Sequence, residues 1–83
     1  MQKSIVTPAY HSFLAHLRGA RKEAGVTQAV LAERLGETQT FVSKCERGER
    51  RLDIVETQTW LTALGVSFVE FAGVISGERS QLG

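Results

Sequence analysis

The stretch TQAVLAERLGETQTFVSKCER, residues 27–47, decides the fold. Thr27 can cap a helix over Gln28–Leu35. Thr38 can cap a second helix from position 39 to about position 47. In both segments apolar side chains recur at helical spacing, which leaves a polar face on the opposite side. The stretch therefore predicts two short amphipathic helices that meet at a turn.

Glycine occupies that turn and also follows the neighbouring segments of helical character, at Gly25, Gly36, Gly48 and Gly65. It is favoured just past a helix end because it adopts the left-handed conformation without a Cβ penalty. Capping residues indicate where the other three helices begin. They are Thr7 with Pro8 for the first helix, Asp53 with Glu56 for a fourth over 54–64, and Ser67 with Glu70 for a fifth from 68 to about 75.

We therefore expect an all-α, compact five-helix domain over residues 8–75. Residues 1–7 are predicted to form an N-terminal arm, and residues 76–83, which are mostly polar, a flexible C-terminal tail. An 83-residue chain has room for one small core, which buries only about 60% of the unfolded surface, so a partner subunit is a natural source of stability.

Composition narrows the class of protein. The formal net charge of +1 provides no global attraction to nucleic acid, so any such binding requires local placement of basic residues. No apolar run is long enough for a signal peptide or a membrane span, which predicts a soluble, cytoplasmic protein with no membrane partner. We interpret Trp60 as core or interface packing.

Catalysis and metal binding find no support in the sequence. Cys45 is the only cysteine, Asp53 is the only aspartate, and His11 and His16 fall on different helix faces. We expect no metal site, no cofactor and no enzyme activity. We interpret Cys45 as a small buried thiol on the inner helix face, in preference to a redox switch.

The two central helices suggest a helix-turn-helix, although many helical hairpins only form core. The residues that fill them resemble the Cro/repressor-type (Xre family) helix-turn-helix domain, which is lambda-repressor-like, over about Phe13 to Ile75. The motifs that support the resemblance are Leu17-Arg18 with Arg21, residues 25–28, 31–36, 41–44, 46–51 and 63–67.

The resemblance implies a role for particular side chains. Arg21 and Glu46 match a largely buried salt bridge between the first and third helices, although both could be solvated surface charges. Gln28 matches a phosphate contact at a helix N-terminus, although it could be only a polar helix start. The residues placed where the family's recognition helix meets base edges are Thr38, Gln39, Thr40, Ser43 and Lys44.

The most specific of these predictions concerns Gln39, because its amide can pair with N6 and N7 of adenine. Downstream, we expect Arg47, Arg50 and Arg51 to bind phosphates, unless they form only a solvated charged loop. From Lys44 to Arg51 there are four basic and two acidic residues, so the local balance is basic although the protein is nearly neutral.

The fifth segment has more apolar side chains than a small core can cover, which indicates an interface. We expect Phe68, Val69, Phe71, Val74 and Ile75 to pair two subunits, as the matching region often does in the family. The resulting prediction is a homodimer that binds double-stranded DNA sequence-specifically at a palindromic operator as a transcriptional regulator. Repression is favoured over activation because occupying a promoter needs no further contact. The alternative is an antitoxin or another protein–protein module with the same fold.

Overall fold

The computed structural model describes residues 7–80, which fold into five α-helices. In chain order they are α1 (Pro8–Glu23), α2 (Gln28–Leu35), α3 (Gln39–Glu46), α4 (Ile54–Leu64) and α5 (Phe68–Ser80). Turns and loops make up the remainder of this described part of the chain, without a β-strand. The all-α, five-helix prediction is confirmed.

Short polar side chains begin the helices where the sequence indicates. The hydroxyl of Thr7 accepts from the N–H of Tyr10 at 3.1 Å, and Pro8 occupies the first turn of α1. Asp53 and Glu56 complete a reciprocal capping box: the Glu56 N–H donates to Asp53 Oδ1 at 2.7 Å, and the Asp53 N–H donates to Glu56 Oε1 at 3.0 Å. These caps satisfy backbone N–H groups that have no partner within the helix.

One of two predicted helix ends agrees with the structure and the other does not. α3 ends at Glu46, with Arg47 as its C-cap residue. The predicted end of α5 near Ile75 is wrong, because the helix continues through Ser80, so residues 76–80 of the predicted tail are helical. No proline interrupts this segment, and the helical cost of Gly77 is only about 1 kcal/mol relative to alanine. The remainder of the predicted tail, 81–83, and residues 1–6 of the predicted arm lie outside the described residues.

One hydrophobic core joins the helices. Leu17 of α1, Leu31 of α2 and Val42 of α3 are fully buried, together with Trp60 and Leu61 of α4. α2 packs against α3 and α4, and α5 packs against α4. The edge-to-face contact between Phe13 and Phe71, with ring centroids 6.0 Å apart, also joins α5 to α1. Trp60 is therefore a core residue.

Cys45 is fully buried on the inner side of α3. Burial raises the pKa of its thiol, because the charged thiolate is disfavoured away from water. This agrees with the interpretation of Cys45 as a packing residue.

No helix among the described residues is both long enough and apolar enough to span a membrane alone. α4 and the first part of α5 meet the length and composition criteria only as a pair bent by 112°.

Candidate nucleic-acid interface

The turn between α2 and α3 fixes how the two helices meet. Gly36 adopts φ 71°, in the left-handed region, and the N–H of Glu37 donates to the carbonyl of Ala32 at 2.9 Å. Thr38 then begins α3, and its hydroxyl accepts from the N–H of Phe41 at 3.1 Å. Val42, fully buried, holds α3 to the core. The turn is thus held by a backbone hydrogen bond on one side and by a side-chain cap on the other, so α3 has a fixed direction relative to α2.

α3 separates its polar and apolar residues between two faces. Val42 and Cys45 are buried, whereas Gln39 and Lys44 are exposed. Five side chains are predicted to meet base edges: Thr38, Gln39, Thr40, Ser43 and Lys44. Ser43 is half-buried and the other four are exposed. They present an amide, hydroxyls and an ammonium group, which are the groups that read base edges in a DNA groove. We call these five residues the polar face of α3.

Behind this face, a buried ion pair ties α1 to the end of α3. The Nε of Arg21 donates to Oε2 of Glu46 at 2.7 Å, and its Nη2 donates to Oε1 at 3.1 Å. The Nη1 of the same guanidinium donates to the carbonyl of Val26 at 2.9 Å. Arg21 and Glu46 are 8% and 7% exposed, so this two-bond pair is shielded from water.

Gln28 joins the same network from the start of α2. Its Nε2 donates to Oε1 of Glu46 at 2.9 Å, which makes Glu46 the shared acceptor of Arg21 and Gln28. Any phosphate contact by Gln28 would therefore be made by an amide whose orientation Glu46 fixes. The structure shows this internal bond and leaves the phosphate role a prediction.

Arg47 and Arg50, which are predicted to bind phosphate, are each held by a carboxylate of the same chain. Arg47 donates to both carboxylate oxygens of Glu49, at 2.9 and 3.3 Å, and also to the hydroxyl of Ser43. Arg50 donates to both oxygens of Glu56, at 3.0 and 2.8 Å. These hydrogen bonds lower the pKa of the Glu49 and Glu56 carboxyl groups. The loop after α3 is accordingly less basic in space than along the sequence.

The arginines of this loop also contact aromatic rings. The Cζ of Arg50 lies over the ring of Phe41, 5.1 Å from its centroid. The Cζ of Arg51 lies over the ring of Tyr10, 4.2 Å from its centroid. These are cation–π distances. Of these partners, only Glu56 has a signal in the sequence, because its place in a capping box puts it near the loop.

The side chains predicted to form a dimer interface divide into exposed and buried ones. Val69 and Val74 are 78% and 56% exposed, and Phe68 and Ile75 are half-buried. Phe71 is only 6% exposed and belongs to the core cluster, so it has little surface to present to a partner. The remaining four leave apolar surface uncovered on α5.

Within residues 7–80, no three His, Cys, Asp or Glu side chains lie close enough together to hold a metal ion.

Comparison with known proteins assigns this arrangement to a family. A helix-turn-helix family model matches residues 17–71, more than half of the chain. Among solved structures, an XRE-family like protein from Pseudomonas syringae pv. tomato str. DC3000 superposes with a TM-score of 0.81 and 38% sequence identity. The match covers 84% of this chain and 85% of that protein.

A second solved relative is the restriction-modification controller protein C.Esp1396I, which was crystallised as a tetramer in complex with its natural 35 base-pair operator. It has a TM-score of 0.78 and 27% identity, over 88% of this chain and 96% of that protein.

A curated relative from Sinorhizobium fredii (strain NBRC 101917 / NGR234), the uncharacterized HTH-type transcriptional regulator y4dJ, is 40% identical over 50 residues. The match covers 60% of this chain and only 65% of the length of that relative. The matched family model and the solved XRE-family relative agree on one assignment: this chain belongs to the XRE family of helix-turn-helix proteins.

Proposed function

We propose that this protein is a transcriptional regulator that binds double-stranded DNA sequence-specifically, with α3 in the major groove. The observation that carries the proposal is the polar face of α3, which the turn at Gly36 and the buried face of the same helix hold at a fixed angle. A helix presented in this way can place short polar side chains against base edges. The operator complex of the C.Esp1396I relative supports the same use of the fold.

The finer parts of the proposal concern assembly and effect. We propose a homodimer formed through the uncovered apolar side chains of α5, which would set two copies of α3 about one DNA turn, roughly 34 Å, apart. The matching operator would be palindromic, because each half-site meets the same surface. Repression by occupancy is the simplest outcome for one small domain, and we propose neither an enzymatic activity nor a cofactor. Such a regulator would act in the cytoplasm, on the nucleoid when bound to DNA.

Selection of binding sites from random duplexes at a stated salt concentration tests the proposal. We expect the selected sequence to be palindromic. Its affinity should fall steeply as the salt concentration rises, because phosphate binding releases counterions. A variant with Gln39→Ala and Lys44→Ala should select a less sharply defined site, whereas Gln58→Ala, which alters an exposed glutamine of α4, should select the wild-type site. If no duplex is retained and a second protein co-purifies tightly, the antitoxin or protein–protein alternative replaces this proposal.

A further inference from the structure

Ser43, on the polar face of α3, is hydrogen-bonded to an arginine one helical turn further along the chain. The Nη1 of Arg47 donates to the Oγ of Ser43. The backbone N–H of Arg47 also donates to the carbonyl of Ser43 at 3.0 Å, so the last turn of the helix places the two side chains next to each other. The serine hydroxyl therefore has a partner within the protein before any base approaches it.

Glu49 holds the guanidinium of Arg47 in the orientation that makes this contact. The Nε of Arg47 donates to Oε2 of Glu49 at 2.9 Å, and its Nη2 donates to Oε1 at 3.3 Å. This carboxylate occupies one edge of the planar guanidinium and leaves Nη1 for Ser43. An exposed ion pair has an appreciable effect where its geometry is bidentate, as it is here. The three side chains thus form a connected series from Glu49 through Arg47 to Ser43.

The contact with Arg47 restricts how the Ser43 hydroxyl can bind a base. A serine hydroxyl both donates and accepts, so a serine in the major groove can meet either kind of base edge. A guanidinium has no acceptor, so the Ser43 oxygen must accept from Arg47 and the hydroxyl hydrogen is left for another partner. Within residues 7–80 this hydroxyl makes no second hydrogen bond. The positive charge beside it also disfavours the approach of another donor.

We propose that Arg47 is a positioning residue that restricts Ser43 to reading a hydrogen-bond acceptor on one base in the major groove. The inference rests on the proposed function and adds to it the class of base that Ser43 recognises. Guanine, adenine and thymine each present an acceptor in the major groove, whereas cytosine presents only the donor amine at N4. The operator should therefore exclude cytosine at the base that faces Ser43. Glu49 contributes by orienting the guanidinium.

Competition among duplexes that differ from the selected operator at single base pairs tests the inference. The position that Ser43 reads is the one at which Ser43→Ala removes the preference of the protein. At that position, we expect cytosine to weaken binding by the wild-type protein about two- to tenfold, the range for one hydrogen bond. In Ser43→Ala, the ratio of affinities for the parent and cytosine duplexes should approach unity.

Arg47→Met removes the guanidinium and keeps the serine, so the same ratio separates positioning from phosphate binding. Loss of a phosphate contact alone would weaken all duplexes equally and leave the ratio at its wild-type value. We expect the ratio to fall toward unity, because the released hydroxyl can accept from the cytosine amine. Glu49→Gln keeps Arg47 but weakens its attachment, and should lower the ratio by a smaller factor.

Arg18→Met is the matched control, since it removes an exposed guanidinium from α1 and should leave the ratio unchanged. Three results would overturn the inference while leaving the proposed function intact. They are a wild-type ratio in Arg47→Met, a preference of the wild-type protein for cytosine at the position that Ser43 reads, and the lack of any position at which Ser43→Ala removes a preference. A wild-type protein that binds no duplex sequence-specifically would overturn both.

Discussion

The Nε of Arg21 donates to Oε2 of Glu46 at 2.7 Å, joining two residues that lie 25 positions apart in sequence. The bond connects α1 to the last residue of α3, and the second carboxylate oxygen of Glu46 also accepts from Gln28 at the start of α2. The direction of the third helix is therefore set by a polar network as well as by apolar packing. Loss of either charge would leave the other buried without its partner.

We expect Arg21→Met to reduce the free energy of unfolding by about 3–5 kcal/mol, because it leaves the Glu46 carboxylate buried and unpaired. Urea denaturation monitored by circular dichroism measures this. Lys22→Ala, at the adjacent exposed position, is the control and should have little effect. The double variant Arg21→Met/Glu46→Leu should lose less than the sum of its single variants. Additive losses would contradict the pairing.

The contact of Arg50 with Glu56 predicts a pH dependence. Arg50, and next the backbone N–H of Asp53, hold the pKa of the Glu56 carboxyl below its ordinary value. A lowered folded pKa stabilises the protein above the ordinary pKa of glutamate, and this stabilisation is lost as the pH falls through the folded pKa. We expect Glu56→Gln to be less stable than wild type at pH 7, with a gap that narrows from about pH 5 downward.

Urea denaturation at several pH values between 7 and 3 measures that gap. The amide introduced by Glu56→Gln keeps an oxygen that can accept from the Asp53 N–H, so the change removes the charge and one acceptor for Arg50 while it can preserve the capping bond. Glu23→Gln, at an exposed site on α1, is the matched control for loss of one carboxylate. A gap of the same size at pH 7 and pH 3 would rule out the ion pair as its cause.

Local signals explain which parts of this structure could be read from sequence. Thr27 and Thr38 begin their helices because a hydroxyl satisfies a free N–H within three residues, a relationship that a short window contains. The predicted end of α5 is too early because a polar composition does not stop a helix in the absence of proline. The contact of Tyr10 with Leu52 could not be predicted, since the two lie 42 positions apart and only folding brings them together.

The roles of the arginines show a similar limit. A sequence window shows that Arg47, Arg50 and Arg51 are close to one another, and all three are chemically able to bind phosphate. Whether a carboxylate or an aromatic ring meets each guanidinium depends on the path of the loop. The resemblance to a family supplied the Arg21 and Glu46 pairing, because that pair follows from a shared fold. Glu49 and Glu56 bind arginine through contacts particular to this loop.

Gln39 provides the test of base reading. We expect Gln39→Ala to relax the preference at one base pair by about 1–3 kcal/mol, because a bidentate amide contact with adenine would be lost. Competition among duplexes that differ from the selected operator at single positions measures this. Gln58→Ala on α4 should leave the whole preference profile unchanged. Equal weakening of all duplexes by Gln39→Ala would show that the amide reads no base.

The ion pair between Glu49 and Arg47 predicts a gain of affinity. Glu49→Gln removes the charge that neutralises Arg47, so the guanidinium can exchange its partner for a phosphate at lower cost. We expect binding to tighten by about two- to fivefold, in line with an exposed ion pair, and the salt dependence to steepen. Fluorescence anisotropy over a range of salt concentrations measures both.

Removal of any negative charge could strengthen DNA binding slightly, so a matched control is needed. Glu70→Gln removes the same charge from α5, away from the loop. It should change affinity less than Glu49→Gln does, and should leave the salt slope unaltered. Equal gains from the two variants would mean that overall charge, and not release of Arg47, governs the effect.

Val69 and Phe71 lie on the same helix, but substitutions at the two positions should have different effects, one on dimerisation and the other on stability. Val69 is 78% exposed, so Val69→Glu adds a charge that the isolated subunit tolerates but an apolar dimer interface does not. We expect sedimentation equilibrium to show a monomer at concentrations where the wild-type protein is a dimer, with its helical content retained. Phe71→Ala should instead lower stability by about 3–5 kcal/mol, because it opens a cavity in the core.

Val55→Glu is the matched control, since Val55 is 64% exposed on α4 and lies outside the predicted interface. It should sediment as the wild-type protein does. If Val69→Glu and Val55→Glu dissociate the dimer equally, the interface extends to α4. If the wild-type protein is monomeric at micromolar concentration, the uncovered side chains of α5 do not pair two subunits.

Dimerisation through α5 would also make DNA binding cooperative in protein concentration. Val69→Glu should abolish that cooperativity, because each α3 would then meet its half-site alone.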